Sequence, residues 1–296
     1  MSDRLDFERD GIDWPNREAS RFVTAAGLSW HVQIMGQGPV ALLVHGTGAS
    51  THSYGQLARI LAKRFTVVVP DLPGHGFTDL PSSERLSLPG MAEDLGLLLQ
   101  ALNLRPMLAV GHSAGAAILV QMSLAGHSTP QALVSINGAL LPFGSIAGQF
   151  FAPFAKLLAL NPFLPWFVSW RAANFDAVAQ TISNTGSTIA PEDIARYGRL
   201  FQTGNHVSAA LGMLANWDLF ALERDLHRLA VPLTLAVGSG DRAIAPEDAF
   251  RVRDLVPGAE VVLLQGLGHL AHEERPEELA EIVAGAAQAA VGVAAA

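Results

Sequence analysis

The chain has 296 residues, half of them hydrophobic and 16% charged, a balance that builds a sizeable core and excludes an intrinsically disordered protein. A formal net charge of −8 repels nucleic-acid phosphates and anionic lipid, whose binding needs clustered Lys and Arg, so no nucleic-acid partner is expected. With no cysteine, disulfides, thiolate metal sites and a Cys nucleophile are all excluded.

The first twenty residues, MSDRLDFERDGIDWPNREAS, carry acids and lack the apolar core of a secretory signal, so a cytoplasmic location is the default expectation. Residues 21–27 and 28–35 alternate apolar and polar positions around Ala-Ala-Gly and predict an antiparallel hairpin at a sheet edge. Short continuous apolar runs follow at 40–44, 65–69, 107–110, 132–136, 233–237 and 261–264, and read as strands covered on both faces. Segments of helical periodicity lie at 54–62, 91–102, 114–124, 246–255 and 277–287. This alternation predicts an α/β fold with a mostly parallel sheet of about eight strands flanked by helices, and chemistry at the carboxyl ends of the strands.

Between residues 140 and 218 the alternation stops, and Phe, Pro, Leu and Trp accumulate without another strand pattern. This segment reads as a helical lid inserted into a core made of residues 1–139 and 219–296, or as an extra packing layer. Its most apolar stretch, 150–170, is broken by prolines, Lys156 and Asn161 and reads poorly as a membrane span, although peripheral contact with a membrane is left open. Phe143, Phe150, Phe154 and Trp166 are the candidate contacts for a large apolar ligand, with plain lid core as the alternative.

The strongest chemical signal is Gly111-His112-Ser113-Ala114-Gly115, set between the apolar run MLAV and the helical run AAILVQM. Small residues on both sides permit a sharp strand-to-helix turn that lifts Ser113 out of the sheet. Serine needs a base and an orienting acid to become nucleophilic. Asp241 in Val-Gly-Ser-Gly-Asp and His269 in Gly-Leu-Gly-His each follow a predicted strand, in the chain order Ser, Asp, His. His272 is the rival base, more naturally a solvated residue at a helix entry, and Asp218 the rival acid, more naturally a helix cap.

The candidate oxyanion donors are the backbone N–H groups of Thr47, in His45-Gly46-Thr47-Gly48, and of Ala114, at the positive end of a helix. His45 reads as a loop-fixing side chain. Asp71 and His75 lie in the turn-forming string PDLPGHG and lack the further ligands a metal site needs, so no metal and no cofactor is expected.

HGTG, DLPGHG, GHSAG, GSGD and GLGH, in this order, resemble the α/β-hydrolase fold superfamily from Arg21 to the C-terminal helix. That superfamily hosts esterases, lipases, carbon–carbon hydrolases, dehalogenases and epoxide hydrolases, and Ser113 stands where the last two carry Asp. The strings DFERDGIDWPNREAS, HGTGASTHSY, LSLPGMAEDL and NGALLPF more narrowly resemble the magnesium-chelatase accessory hydrolases of bacteriochlorophyll synthesis, with Tyr54 in place of an expected Trp. The resemblance implies an accessory factor acting near magnesium insertion, with magnesium chelatase as a partner and a tetrapyrrole as a candidate ligand. Three functions fit: a serine hydrolase of an apolar ester or related acyl substrate, a non-catalytic tetrapyrrole-binding or chelatase-assisting scaffold, and a carbon–carbon bond hydrolase. For the last, Asn137, Arg171, Asn174 and Asn216 are ambiguous candidates to meet the substrate.

Overall fold

The computed structural model describes residues 3–142 and 171–294. Eight strands form one sheet: β1 (Ser20–Ala25), β2 (Leu28–Met35), β3 (Val40–Val44), β4 (Thr66–Pro70), β5 (Leu108–His112), β6 (Ala132–Ile136), β7 (Leu233–Gly238) and β8 (Glu260–Leu264). Their spatial order is β1-β2-β4-β3-β5-β6-β7-β8. β2 pairs antiparallel with both β1 and β4, and every other pair is parallel. The expected edge hairpin is therefore present, and the parallel strands are those whose sequences are continuous apolar runs.

The two faces of the pleat bury two separate cores. Leu42, Val44, Val68, Ala109, Leu133, Leu235 and Val237 point to one. Their alternate neighbours Leu43, Val67, Val69, Leu108, Val110, Val134 and Ala236 point to the other. This period of two is why neither face of these strands can be polar. Helices α3 (Leu88–Ala101) and α4 (Ala114–Leu124) cover the first face; α2 (Gly55–Leu61) and α11 (Pro276–Ala294) cover the second.

Several boundaries differ from the sequence reading for local reasons. The helix expected at 54–62 begins as a 3-10 turn, Thr51–Tyr54, before α2. α3 starts at Leu88 because the Ser87 hydroxyl oxygen accepts the Gly90 N–H and Pro89 occupies the first turn, where its missing N–H costs nothing.

The leader, expected only to be polar, is built into the protein. A short helix α1 (Phe7–Asp10) precedes Trp14, whose side chain is 3% exposed and whose indole N–H donates to Thr51 Oγ1 at 2.9 Å. Leu5, Trp14, Phe77, Val178, Tyr197, Leu200 and Leu270 share a third core over the carboxyl ends of the strands. That core joins the leader to the helices that follow β6: α5 (Phe175–Asn184), α6 (Pro191–Phe201) and α7 (Gly204–Asn216), with α8 (Leu219–Asp225) leading back to the sheet. No strand interrupts the described residues between β6 and β7, as the composition of that segment predicts. The remaining helices are α9 (Glu247–Leu255) and the single turn α10 (Ala271–Glu274). No described helix is long and apolar enough to cross a membrane.

Candidate active site

Ser113 sits between β5 and α4 with φ 51° and ψ −118°, in backbone territory that L-residues avoid. Holding such a residue costs on the order of 1–3 kcal/mol, and the surroundings enforce it. A methyl group on Gly115 would lie 2.1 Å from the Val44 carbonyl oxygen, and one on Gly111 would lie 2.5 Å from Ala116 Cα. Only glycine at both positions lets the helix start this close to β3 and β5. The Ser113 N–H donates to the Ile136 carbonyl at 3.0 Å, which pins the turn to β6.

Asp241 and His269, both sequence candidates, lie in hydrogen-bond contact. Asp241 Oδ1 accepts the N–H groups of Ala243 (2.7 Å) and Ile244 (3.0 Å), and Oδ2 accepts His269 Nδ1 at 2.8 Å. The acid is thus fixed by its own turn before it meets the imidazole. Because Nδ1 faces the carboxylate, Nε2 is the ring nitrogen left to accept a proton.

The His269 loop is tied to the Ser113 turn. His112, adjacent to Ser113, donates from Nε2 to the His269 carbonyl at 2.9 Å, and the two rings lie 4.7 Å apart. The Asn137 amide donates to the same carbonyl at 2.8 Å and to that of Gly268 at 2.9 Å, while its oxygen accepts the Gly238 N–H at 2.8 Å. Asn137 is 2% exposed, so it is a buried tie between loops and not a surface facing a ligand.

The candidate oxyanion loop lies against the same turn. A methyl built on Gly46 would sit 3.0 Å from Ser113 Cβ, so residue 47 follows directly from a point of contact with Ser113. Ala114 is the first residue of α4, so its N–H has no intrahelical acceptor. His45 fixes this loop: Nε2 accepts the Leu72 N–H at 2.9 Å and Nδ1 donates to the Gly46 carbonyl at 2.8 Å. Desolvation in its buried setting keeps His45 below the usual histidine range and hence neutral.

His206 on α7, which the sequence reading passed over, is a second pin. Its Nδ1 accepts the Gly76 N–H at 3.1 Å and its Nε2 donates to the Gly48 carbonyl at 3.0 Å. Burial pushes it down to about 4. Asp71 is a structural anion. Burial alone would raise its carboxyl, but His31 at 2.7 Å and the N–H groups of Thr51 and Phe77 hold it well below the usual carboxylate range.

The insertion reaches this centre from a direction that sequence did not indicate. The Thr185 carbonyl accepts the N–H groups of both Arg242 (3.1 Å) and His269 (3.3 Å), and Ser187 Oγ accepts the Leu270 N–H at 2.8 Å. Nothing in the string NTGST signals this, because two of the bonds use a main-chain carbonyl and the third a single serine hydroxyl, between segments far apart in sequence.

Other candidates find structural roles. Asp218 caps α8 by accepting from Phe220 and Ala221, and Asn174 caps α5. Asn216 donates to the Gly212 and Ser83 carbonyls. His272, expected to be solvated, is fully buried between the rings of Tyr54 (4.9 Å) and His112 (4.4 Å), and burial pushes it down to about 3. The apolar stem of the turn, not its Glu-rich flank, decides its place. Phe143, Phe150, Phe154 and Trp166 lie outside the described residues. Arg171 borders an apolar cavity of about 240 Å³ lined by Val178, Ile182 and Phe201, and Phe201 stands 3.2 Å from where a Gly48 methyl would be. Among the described residues, no group of three or more His, Asp or Glu side chains has a metal-binding arrangement.

Comparison with known proteins agrees with this geometry. Residues 41–282 match the model of the alpha/beta hydrolase family. The chain is 39% identical over 274 residues to the magnesium-chelatase 30 kDa subunit of Rhodobacter capsulatus, covering 92% of this chain and 95% of that protein. Among solved structures, it superposes on an alpha/beta hydrolase fold protein from Burkholderia ambifaria with a TM-score of 0.75 at 22% identity, covering 90% of this chain and 97% of that one. A thermophilic esterase from Thermogutta terrifontis gives a TM-score of 0.71 at 22% identity, covering 92% and 98%. With its eight-stranded sheet, its strained serine turn and a family match across most of its length, the chain belongs to the alpha/beta hydrolase family.

Proposed function

We propose that the protein is a serine hydrolase acting on an apolar ester or related acyl substrate, with Ser113 as nucleophile, His269 as general base and Asp241 as its orienting acid. The observation that carries this reading is the 2.8 Å bond from Asp241 Oδ2 to His269 Nδ1, made beside a serine held at φ 51°. An idle site has no use for backbone strain that costs stability.

In this reading Ser113 Oγ attacks the substrate carbonyl carbon as His269 Nε2 takes its proton. The carbonyl oxygen becomes an oxyanion held by the N–H groups of Thr47 and Ala114. Collapse of the tetrahedral species breaks the bond to the leaving alcohol, which receives the proton from His269. A water molecule, deprotonated by His269, then attacks the acyl-enzyme and returns Ser113 to its free form. Asp241 stays ionised throughout and stabilises the imidazolium. The cavity at Val178, Ile182 and Phe201, formed within residues 140–218, supports an apolar ligand, and that segment acts as a lid over the Ser113 site.

Likeness to a protein named as a magnesium-chelatase subunit supports a place beside that complex, in the cytoplasm, with a tetrapyrrole derivative as the acyl substrate. The same name favours a second reading, in which the chain assists a chelatase as a tetrapyrrole-binding scaffold and Ser113 is idle. Labelling with a fluorophosphonate separates the two. Adduct formation on Ser113, lost in Ser113→Ala, is the expected result; an unlabelled, folded protein whose Ser113→Ala form still supports pigment synthesis overturns the catalytic reading.

A further inference from the structure

A cleft of about 460 Å³ lies apart from the serine, between the Trp14–Arg17 leader, the start of α2 and helix α6, with His272 and Glu273 among its lining residues. Nine buried side-chain nitrogen or oxygen atoms lack a hydrogen-bond partner among the described residues. Five of them belong to residues lining this cleft: His52 Nε2, Arg196 Nε, both nitrogens of His272, and Glu273 Oε2. His52 and His272 are 2% and 0% exposed, and the Glu273 side chain is 4% exposed. An unmade hydrogen bond on a buried polar atom costs about 1–3 kcal/mol, so such a concentration in one cavity favours a polar partner there.

We infer that this cleft binds the primary ammonium group of a small-molecule amine, held by Glu273 Oε2 and by lone pairs of His52 and His272. A primary ammonium offers three N–H donors and needs three acceptors in a cone. The lining offers that number of acceptors: a carboxylate oxygen, one nitrogen of His272, and His52 Nε2, which is left as an acceptor when Nδ1 donates to Ser50 Oγ at 2.7 Å. Arg196 turns its two terminal nitrogens away from the carboxylate, to Asp193 Oδ1 at 2.5 Å and to the Asp13 carbonyl at 3.2 Å, and its unpartnered Nε–H is a donor that the ammonium does not meet. Among the charged residues lining the cleft, Asp13, Glu18, Glu192, Asp193 and Glu273 outnumber Arg17, Arg59 and Arg196, a balance that favours a cation over an anion. The leader that forms one wall is the part of the sequence that the hydrolase motifs leave unexplained, and this site does not depend on whether Ser113 is catalytic.

Binding is coupled to a proton. Burial pushes the Glu273 carboxyl up to about 8, against the Tyr197 hydroxyl bonded at 2.7 Å. Asp193 and Glu274 add to the rise, Arg196 opposes it, and the neutral His272 and His52 complete the surroundings. The ammonium therefore displaces the Glu273 proton, and apparent affinity climbs as pH rises to that point.

The test is calorimetric titration of the full-length protein with n-butylamine at constant ionic strength, with tetramethylammonium and acetate as comparators. Saturable binding of butylamine alone is expected, weaker by about 30-fold at pH 6.5 than at pH 9 for a group titrating near 8, and absent in Glu273→Gln. The pH dependence of the wild-type protein stands even if that variant fails to fold. Binding of acetate, equal binding of tetramethylammonium, no binding of butylamine, or binding independent of pH would each overturn the inference.

Discussion

The Asn137 side-chain amide donates to the main-chain carbonyl of His269 at 2.8 Å, while its oxygen holds Gly238, three residues before Asp241. One buried side chain thus sets the separation of the Asp241 and His269 loops from the end of β6. Its own backbone is left-handed, φ 46°, which Asn tolerates better than most residues. Asn137→Ala leaves the Gly238 N–H without its side-chain acceptor and lets the base loop drift. The expected loss in the rate of fluorophosphonate labelling is about 10²-fold, the effect of a displacement near 1 Å. Stability should fall by about 1–3 kcal/mol. Asn137→Asp should be at least as slow, since a carboxylate would face the carbonyls of Gly268 and His269. Labelling kinetics together with urea unfolding would check both; wild-type labelling rates in both variants would remove Asn137 from the machinery.

Ser113 pays for its position in backbone strain, and the strain can be measured. Ser113→Ala keeps the Cβ and hence the penalty at φ 51°, whereas Ser113→Gly removes it. Gly costs unfolded-state entropy of roughly 0.5–1 kcal/mol, so the net advantage of Gly over Ala should be on the order of 1 kcal/mol. Both variants should be unlabelled. A glycine variant less stable than the alanine one, by chemical denaturation, would show that the turn is relaxed.

How much of this was legible follows from where the information lies. The strands β3 to β8 and the serine turn are local: apolar runs, small residues and punctuation specify them within a few positions. The pairing of Asp241 with His269 was legible because both follow strands of one parallel sheet, whose carboxyl ends converge. Asn137, His206 and Thr185 were not, because their contribution is a hydrogen bond to a main-chain atom over 100 residues away, or a carbonyl that any residue would supply. His272 was misplaced for a related reason. Its polar neighbours in sequence suggest solvent, but the alternation within a single helical turn sends it inward beneath Tyr54.

The contact between residues 185–187 and the Asp241 and His269 loops has its own single point of failure. Gly186 adopts φ 85°, and a methyl there would lie 2.0 Å from the Gly240 carbonyl oxygen. Gly186→Ala must push residues 185–187 away from the Asp241 and His269 loops, breaking the bonds from Arg242 and His269 to the Thr185 carbonyl. We expect destabilisation of about 2–4 kcal/mol, from the strained backbone and the lost pairs. Labelling should slow even where the fold survives. Unchanged thermal unfolding and unchanged labelling would mean that the loop is not held where it is drawn.

Two buried groups in α10 give the stability profile opposite slopes. Glu273 titrates in the folded protein near 8 instead of its ordinary 4.5, so its contribution is fully present below 4.5 and is lost as pH rises through 8. His272 titrates near 3 instead of 6.5, so its contribution is present above 6.5 and is lost as pH falls toward 3. Glu273→Gln stays neutral and should be the more stable protein at pH 9, by an amount on the order of a few kcal/mol, while losing that advantage near pH 4.5. His272→Phe keeps a ring of similar size between Tyr54 and His112 and should resist acid better than the wild type below pH 6. Urea midpoints at pH 4.5, 6.5 and 9 for the three proteins would show this crossing. Parallel profiles would mean that water reaches both groups and that the cleft they line is not dry.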